Sequence, residues 1–293
     1  MSSLPLIQIA AAQRRAPDGL DWRERLERLR EWFRGFGSAV VAYSGGVDSS
    51  LVLRVAAETL GTRALGVIGQ SDSYSERELA LALDQAEALG ARVETVTTGE
   101  LSDPNFRSNP LNRCYHCKSE LYRKLATVAA RVQADVVVDG TIADDVEDWR
   151  PGRQAAAERG VRSPLAELGF TKEEVRAAAQ ELGVRSHDKP ASPCLASRIP
   201  YGQEITREKL SMVEKAEEVL RSLGFVQLRV RHHEDVARIE VPAGEIARLA
   251  EPETREAVVS ALKALGYRYV TLDLEGFRSG SLNEAFRTQK TTN

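Results

Sequence analysis

A run of serines and glycines around one aspartate, at positions 42–50, has the residue types that bind phosphate. It reads Ala42, Tyr43, Ser44, Gly45, Gly46, Val47, Asp48, Ser49 and Ser50. Glycines let the backbone turn tightly and pass close to an anion. Serine hydroxyls and the free N–H groups at the start of a helix can then hold phosphate oxygens. Because a strand is predicted before the run and a helix after it, the pattern predicts a phosphate-binding loop. A turn without a ligand is the alternative.

The end of the run indicates which kind of loop this is. A Walker A loop would close on Gly-Lys-Ser/Thr, and a dinucleotide loop would carry a further Gly-x-x-Gly; the run has neither. Residues 44–49 are instead similar to the Ser-Gly-Gly-x-Asp-Ser loop of N-type ATP pyrophosphatases. That resemblance implies cleavage of ATP to AMP and pyrophosphate, with AMP activating an acyl or amide oxygen. It implies a magnesium ion partnered by Asp48, and ATP contacts at Ala42, Ser44, Gly45, Gly46, Asp48, Ser49 and Ser50.

A second polar cluster follows the strand predicted over residues 135–139. A glycine and a hydroxyl at the end of a strand, followed by two carboxylates, suit contacts to a nucleotide and a metal ion; the residues are Asp139, Gly140, Thr141, Asp144 and Asp145. We expect Gly140, Thr141 and Asp144 to contact ATP, and a solvated acidic turn is the alternative. Ser71 and Ser73 could contact the adenosine in the same way or form a plain turn.

Three cysteines lie in two places. Cys114 and Cys117 form a C-x-x-C pair just ahead of a helix predicted over residues 118–131, and Cys194 lies between prolines far along the chain. At a helix start we expect lowered thiol pKa values. The three thiolates could hold a [4Fe–4S] cluster with one open iron, and the pair alone could act as a redox dithiol. They could also bind zinc with a fourth ligand from His116 or His187. Two buried small side chains and a surface thiol are the plainest alternative.

Alternating strands and helices must position these groups. Apolar periodicity predicts strands over 38–43, 64–68, 92–96 and 135–139, and helices over 21–33, 48–60, 75–89, 118–131 and 171–182. Helix 171–182 begins with a capping box, because Glu174 follows Thr171 by three residues. This alternation predicts an α/β fold with a doubly wound, mostly parallel sheet.

A smaller α+β domain is predicted after a proline-rich hinge near residues 199–202. Its elements are a helix over 206–223, strands over 225–231 and 236–241, two short helices around Pro252 and a strand over 267–274. Val226, Leu228 and Val230 should share one face of the first strand, with Arg229 and Arg231 on the other and Glu240 on the polar face of the next strand. His232 and His233 fall in the predicted turn. The predicted domains are 20–199 and 200–276, with a flexible tail over 277–293.

Composition limits the possible functions. The chain has 293 residues with 40 basic and 43 acidic side chains, a net charge of −3 that gives no electrostatic footprint for nucleic acid. It contains no long apolar run, so we expect no membrane span. The first residues lack the pattern of a secretory signal, and three scattered cysteines do not make a disulfide framework. We therefore expect a cytoplasmic enzyme.

Four groups of residues occur in one order that resembles the LarE family, the ATP-dependent sulfur transferases of nickel-pincer nucleotide biosynthesis. They are the phosphate loop, Asp139-Gly140-Thr141 with Asp144-Asp145, Arg150-Pro151-Gly152-Arg153, and Pro193-Cys194-Leu195-Ala196-Ser197-Arg198-Ile199-Pro200. The likeness extends over roughly residues 32–269, and its most specific parts are the segments around Cys194 and around Asn112-Arg113-Cys114. It implies adenylation of the carboxylates of pyridinium-3,5-biscarboxylic acid mononucleotide and their conversion to thiocarboxylates, for the nickel cofactor of lactate racemase.

The resemblance also implies how sulfur is supplied and where the substrate binds. One type of member sacrifices a single cysteine, and the other holds a [4Fe–4S] cluster on three cysteines that can carry an extra sulfide. With Cys114, Cys117 and Cys194, this chain resembles the second type, in which these cysteines are both catalytic and metal-binding. Substrate contacts are implied at Ser197, Arg198, Arg229, Arg231 and Glu240. The partners implied are the mononucleotide, a sulfide or other sulfur donor, and further copies of the chain in a hexamer.

Other functions share parts of this pattern. A tRNA thiolase combines the same loop with cysteines but needs a basic surface for RNA, which a pI of about 6.0 disfavours. A ligase of the NAD-synthetase kind shares the loop without needing three thiols. A non-catalytic AMP-binding protein with a zinc site would bind nucleotide and release no pyrophosphate.

Overall fold

A sheet of four parallel strands positions the phosphate loop. The computed structural model describes residues 19–146, 151–190 and 194–278. Within them, the strands of the first sheet are β1 (Ala39–Ala42), β2 (Ala64–Gln70), β3 (Val93–Thr97) and β4 (Val136–Val138), in the order β3-β2-β1-β4. Arg150 and Pro193 of the family motifs, and residues 279–293 of the predicted tail, lie outside the described residues.

Helices cover both faces of this sheet. In chain order they are α1 (Trp22–Arg34), α2 (Val47–Leu60), α3 (Glu76–Ala88), α4 (Pro104–Arg107), α5 (Arg113–Val132), α6 (Pro151–Glu158), α7 (Pro164–Glu167) and α8 (Lys172–Glu181). Ala39 and Val41 of β1 pack into a core with α1, α2 and α8, whereas Val40 and Ala42 pack into a second core with α5 and α6. This alternation confirms the predicted doubly wound α/β fold. No helix among the described residues combines the length and apolar character that crossing a bilayer requires.

The strand order creates a crevice beside β1. The chain passes from β1 to β2 on one side, and later returns to place β4 on the other side of β1. Open α/β sheets bind ligands at such a reversal, outside the carboxyl ends of the strands. The phosphate loop follows β1 and the Asp139–Asp145 cluster follows β4, so both predicted nucleotide segments lie at this crevice.

Helix α5 begins five residues earlier than predicted. It starts at Arg113, where the chain leaves a turn in which Arg113 N–H donates to Pro110 O at 3.0 Å. Cys114 and Cys117 therefore lie inside the first helical turns instead of ahead of them. The prediction was wrong because the first turns carry mainly polar side chains and lack the apolar periodicity that marks the rest of the helix.

A second, smaller sheet completes the described chain. Its strands are β5 (Arg229–His233), β6 (Val236–Glu240) and β7 (Tyr269–Leu272), with β5 antiparallel and β7 parallel to β6. Its helices are α9 (Arg207–Ser222), α10 (Ile246–Ala250) and α11 (Pro252–Ala264), which share one apolar core with the strands. The predicted α+β character is confirmed, and the domain boundaries remain predictions.

Strand β5 begins four residues later than predicted. The N–H of Phe225 still donates to Leu220 O at 3.1 Å, so the chain is turning away from α9 at this point. Val226 is consequently 81% exposed and does not share the buried face of Leu228 and Val230. His232 and His233 belong to the strand and not to the following turn. Strand β7 is also shorter than its prediction at both ends.

The two histidines of β5 should make the protein acid-labile. Burial is the main cause that lowers the pKa of both His232 and His233, because it disfavours the imidazolium form. The unfolded chain then binds more protons than the folded chain as the pH falls below about 6.5, the ordinary histidine pKa. We expect stability to be fully present at pH 7.5 and to fall as the pH is lowered through the depressed folded-state pKa values.

Urea unfolding between pH 7.5 and 5 measures this effect. The double variant His232→Gln, His233→Gln should show a weaker pH dependence than the natural chain, and His187→Gln serves as the matched control. Equal pH dependence in all three proteins would contradict the assignment.

Candidate functional site

The phosphate loop has the strand–loop–helix context that the sequence predicts. Ala42 ends β1, and α2 begins at Val47. Gly45 has a φ of +70°, and a Cβ atom there would lie 2.7 Å from the Cβ of Ala82. The loop thus needs glycine for both its backbone conformation and its contact with α3.

The three predicted loop serines do different work. The Ser49 hydroxyl accepts from Ser44 N–H at 3.1 Å, lies 3.1 Å from the Ser44 hydroxyl and donates to Gly46 O. Ser44 and Ser49 therefore shape the loop directly. The Ser50 hydroxyl is fully buried and accepts a hydrogen bond from the side chain of Gln85. Ser50 therefore connects the start of α2 to α3.

The end of β4 packs tightly against this loop. A Cβ atom on Gly140 would lie 2.6 Å from the backbone nitrogen of Ser49, so the approach requires glycine. The buried Asp139 carboxylate accepts from the hydroxyls of Tyr122, Thr141 and Ser163. Asp139 therefore fixes the position of Gly140 and Thr141 beside the loop, and its oxygens are engaged within the fold.

Lys172 joins the two acidic segments, and sequence reasoning missed it. Its ammonium nitrogen lies 2.7 and 2.8 Å from the two carboxylate oxygens of Asp48. Its backbone N–H donates to Asp144 at 2.8 Å. The predicted capping box forms, with Thr171 and Glu174 exchanging backbone and side-chain hydrogen bonds, and it places Lys172 in the first turn of α8. The sequence shows only that cap, since the contact to Asp48 spans 124 residues.

These groups suit a magnesium–nucleotide complex. Magnesium in ATP sites keeps several waters and is held by one or two carboxylates together with phosphate oxygens. Asp48, at the start of α2 and less than fully buried, can supply such a carboxylate once Lys172 turns to the phosphates. The N-terminal end of α2 adds N–H groups and a favourable dipole for the anion.

The Ser71–Tyr74 turn connects the loop to the cysteine region. Ser71 and Ser73 hydroxyls lie 3.0 Å apart, and Ser73 donates to the buried Glu100 at 2.6 Å, so they form a closed turn. Tyr74 hydroxyl donates to Ser44 O in the phosphate loop at 2.9 Å. Tyr74 also lines a small cavity together with Cys194, Arg198 and Glu217.

Three buried arginines donate hydrogen bonds to the backbone of the segment that carries Cys194. Arg198 donates to Cys194 O at 3.1 Å, Arg113 to Ala196 O at 3.0 Å, and Arg231 to Ser197 O at 2.8 Å. On the other side, Leu195 N–H donates to Ser73 O at 2.9 Å. The segment is therefore tied to α5, to the turn after β2 and to the second sheet at once.

The three thiols lie in one region. Cys117 and Cys194 are half-buried against an apolar cluster that includes Phe106, Leu195 and Ile199, and Cys114 reaches the surface. The prediction of lowered thiol pKa values is wrong. Burial is the main cause that raises the pKa of Cys117, with the Glu100 carboxylate adding to it. Loss of hydration among the surrounding protein atoms is the main cause that raises the pKa of Cys114. The negative charge that Cys194 would carry as a thiolate raises this pKa further.

The thiols as placed do not fit a metal cluster. In residues 19–146, 151–190 and 194–278, no three side chains of the His, Cys, Asp or Glu type are grouped closely enough to hold a metal ion. His116 lies 3.5 Å from Asp103, and His187 contacts Val184 O at 3.0 Å. The three cysteines expected to bind the cluster thus lie in one region but are not arranged to bind one metal ion together.

Three charged residues of β5 and β6 are buried, namely Arg229, Arg231 and Glu240, whereas the side chain of Arg238 is 40% exposed. Arg231 contacts both Glu240 oxygens at 2.9 Å, and Arg198 contacts the buried Glu217 at 2.8 and 3.2 Å. Burial, then the neighbouring charges of Arg198 and Arg231, lowers the pKa of Arg229 to about 10. Its guanidinium lies 4.9 Å from the ring centre of Phe277. The cluster of guanidinium groups favours an anionic ligand.

Comparisons with known proteins agree with this geometry. A family model described as NAD synthase matches residues 26–110, which include the phosphate loop. A Lactiplantibacillus plantarum protein named pyridinium-3,5-bisthiocarboxylic acid mononucleotide synthase is 44% identical over 245 residues, which cover 83% of this chain and 88% of that protein. Protein slr1717 of Synechocystis sp. is 49% identical over 259 residues, 88% of this chain and 97% of its own length. MJ0830 of Methanocaldococcus jannaschii is 30% identical over 86% of this chain and 94% of its own. The chain therefore belongs to the LarE family of ATP-using PP-loop enzymes.

Proposed function

We propose that the chain is an ATP-dependent sulfur transferase that converts pyridinium-3,5-biscarboxylic acid mononucleotide to its bisthiocarboxylic form. The name of the Lactiplantibacillus plantarum relative gives the product. The observation that carries the proposal is structural: Tyr74 contacts the phosphate loop and also lines the cavity beside Cys194. We infer that the activating site and the sulfur-handling segment share one crevice.

Activation begins with a substrate carboxylate. Its oxygen attacks the α-phosphorus of ATP, the bond to the β-phosphate oxygen breaks, and an acyl adenylate and pyrophosphate form. Ala42, Gly45, Gly46, Ser49 and the start of α2 hold the phosphates, while Gly140, Thr141 and Asp144 close the opposite side. This arrangement stabilises charge that develops on the leaving pyrophosphate.

Asp48 and Lys172 both contribute to charge compensation at the phosphates. Asp48 would hold the magnesium ion that accompanies ATP, which would supply positive charge beside the phosphates. The Lys172 ammonium leaves Asp48 and pairs with pyrophosphate oxygens. The 2.7 Å pair between Lys172 and Asp48 keeps both groups at the site.

The second sheet anchors the substrate. Arg229 and Arg231 take the mononucleotide phosphate, with Ser197 and Arg198 beside them. Glu240 holds Arg231 in place through two oxygen contacts. The same Arg231 fixes Ser197 O, so substrate anchoring and the position of Cys194 are linked through one side chain.

Sulfur then replaces the activated oxygen. A sulfur nucleophile attacks the acyl carbon, the bond to AMP breaks, and AMP carries away the oxygen. Cys114, Cys117 and Cys194 handle this sulfur. A [4Fe–4S] cluster of the kind that the resemblance implies would require these thiols to rearrange. We further propose that the product serves lactate racemase and that the chain assembles as a hexamer in the cytoplasm.

Product mass tests the function. Purified chain, ATP, magnesium, sulfide and the pyridinium biscarboxylate mononucleotide should yield thiocarboxylate product with release of AMP and pyrophosphate. Pyrophosphate release with no sulfur in the product, under anaerobic conditions and with each sulfur donor tried, would sink the proposal.

Gly140→Ala should disable the phosphate loop. The added Cβ would meet the Ser49 backbone at 2.6 Å and must displace the loop. We expect ATP-dependent pyrophosphate release to fall at least about tenfold, because a misplacement of about 1 Å can cost about 100-fold in rate. Gly244→Ala is the control, because a Cβ there meets no atom within 4 Å. Equal activity of the two variants would contradict the packing argument.

Lys172→Met should slow activation. Removing a preorganised charge from a leaving group costs about 10²-fold in rate. The assay is pyrophosphate release under saturating magnesium, with the exposed Lys263→Met as control. An unchanged rate for Lys172→Met would show that the ammonium serves only to pair Asp48.

Metal content tests the sulfur-handling assignment. After anaerobic purification, about four irons per chain, lost in each of Cys114→Ser, Cys117→Ser and Cys194→Ser, would support the cluster. A metal-free chain in which Cys194 alone is essential would contradict it and would favour a sacrificial cysteine.

A further inference from the structure

Asn109 occupies a fully buried and conformationally demanding position between α4 and α5. Its φ is +53°, in the left-handed region that asparagine tolerates better than most residues. Its side-chain amide nitrogen donates to Ile199 O at 3.2 Å and Pro200 O at 2.7 Å. Its backbone oxygen accepts from Gly202 N–H at 2.9 Å. Asn109 thus fastens the start of the predicted hinge to the segment that leads into α5.

Arg113 extends this contact to the segment of Cys194. Its Nη1 donates to Asn109 Oδ1 at 2.5 Å and to Ala196 O at 3.0 Å. The side chain is 2% exposed, and its guanidinium lies 5.2 Å from the ring centre of Tyr201. A buried guanidinium with two fixed acceptors cannot move without leaving charge unsatisfied.

Together the two side chains connect the two cysteine segments. Arg113 directly precedes Cys114 in the first turn of α5 and holds Ala196, two residues after Cys194. Asn109 holds the backbone at residues 199 and 200 on the far side of the same segment. We call this pair of side chains the Asn109–Arg113 clasp.

We propose that the Asn109–Arg113 clasp is a positioning device that sets the approach of Cys194 to Cys114 and Cys117 for sulfur delivery. Neither side chain touches the reacting atoms; each acts through the backbone of the segment that carries Cys194. The inference rests on the proposed role of the cysteines, and its test does not depend on turnover.

Thiol cross-linking in the reduced, metal-free full chain measures the clasp directly. Dibromobimane joins two thiols only when both displace bromide, and peptide mass spectrometry identifies which pair was joined. The natural chain should join Cys194 to Cys114 or Cys117. Asn109→Asp keeps the shape and the acceptor for Arg113 but loses both donors to Ile199 and Pro200, and it should slow this cross-link at least tenfold.

Stability-matched variants separate positioning from general damage. Val128→Ala and Leu125→Ala remove buried methyl groups further along α5, and their melting temperatures should bracket that of Asn109→Asp. Both should cross-link within twofold of the natural rate. Arg113→Lys, which keeps the charge but loses the planar fork, gives a second test if Asn109→Asp does not fold.

Two results would overturn the proposal. One is a natural chain that joins Cys194 to neither partner; the other is clasp variants that cross-link as fast as variants of equal melting temperature. A second readout agrees with positioning if the clasp variants still release pyrophosphate but form at least tenfold less thiocarboxylate. Failure of the proposed function is distinguishable, since the natural chain would then cross-link but make no thiocarboxylate.

Discussion

The fold depends on the pairing of buried guanidinium groups with backbone carbonyls of one short segment. Arg113, Arg198 and Arg231 are all nearly inaccessible, and each donates to a different carbonyl of residues 194–197. A buried charge without partners costs several kcal/mol. The contacts of Arg113 and Arg231 therefore hold α5 and the second sheet to the segment of Cys194, and the N–H of Leu195, which donates to Ser73 O, adds the turn after β2.

Opposite charges are also paired in the phosphate site. A carboxylate at the start of α2 and another after β4 face the same space, and Lys172 touches both through its side chain and its backbone. The Lys172 ammonium contacts both carboxylate oxygens of Asp48 and holds this side chain in place. Because the Lys172 ammonium is a compact charge on a flexible side chain, it can move from Asp48 to the phosphate oxygens when ATP binds. The close packing of Gly140 on the loop makes the rest of the site rigid.

Local sequence signals predicted the first sheet and its loop well. Strand–loop–helix order, glycine at positions of tight approach and capping residues all act over a few neighbours, so they can be read without the fold. The start of α5 and the start of β5 could not be predicted as well, because polar first turns and a helix-terminating turn lack periodicity. The predicted thiol pKa values failed for a physical reason, since burial around Cys117 outweighs the effect of a helix start.

Contacts between residues far apart in the chain could not be predicted from the sequence. The strand pattern predicted only that Arg229 and Arg231 share one face of their strand, and the fold shows that they are buried beside Glu217 and Glu240. Lys172 and Asn109 carry no local signature of their roles, because the contact of Lys172 to Asp48 spans 124 residues and that of Asn109 to Ile199 spans 90. The family motifs around Cys194 pointed to the right region, while the clasp that holds it became visible only in three dimensions.

The coupling of activation to sulfur transfer is the most direct test of a shared crevice. Quantifying AMP, pyrophosphate and thiocarboxylate in the same anaerobic reaction gives their ratio as the substrate is consumed. A shared crevice predicts one AMP and one pyrophosphate for every thiocarboxylate formed. Thiocarboxylate formed without AMP would contradict the account, because sulfur would then enter by a route that bypasses the phosphate loop.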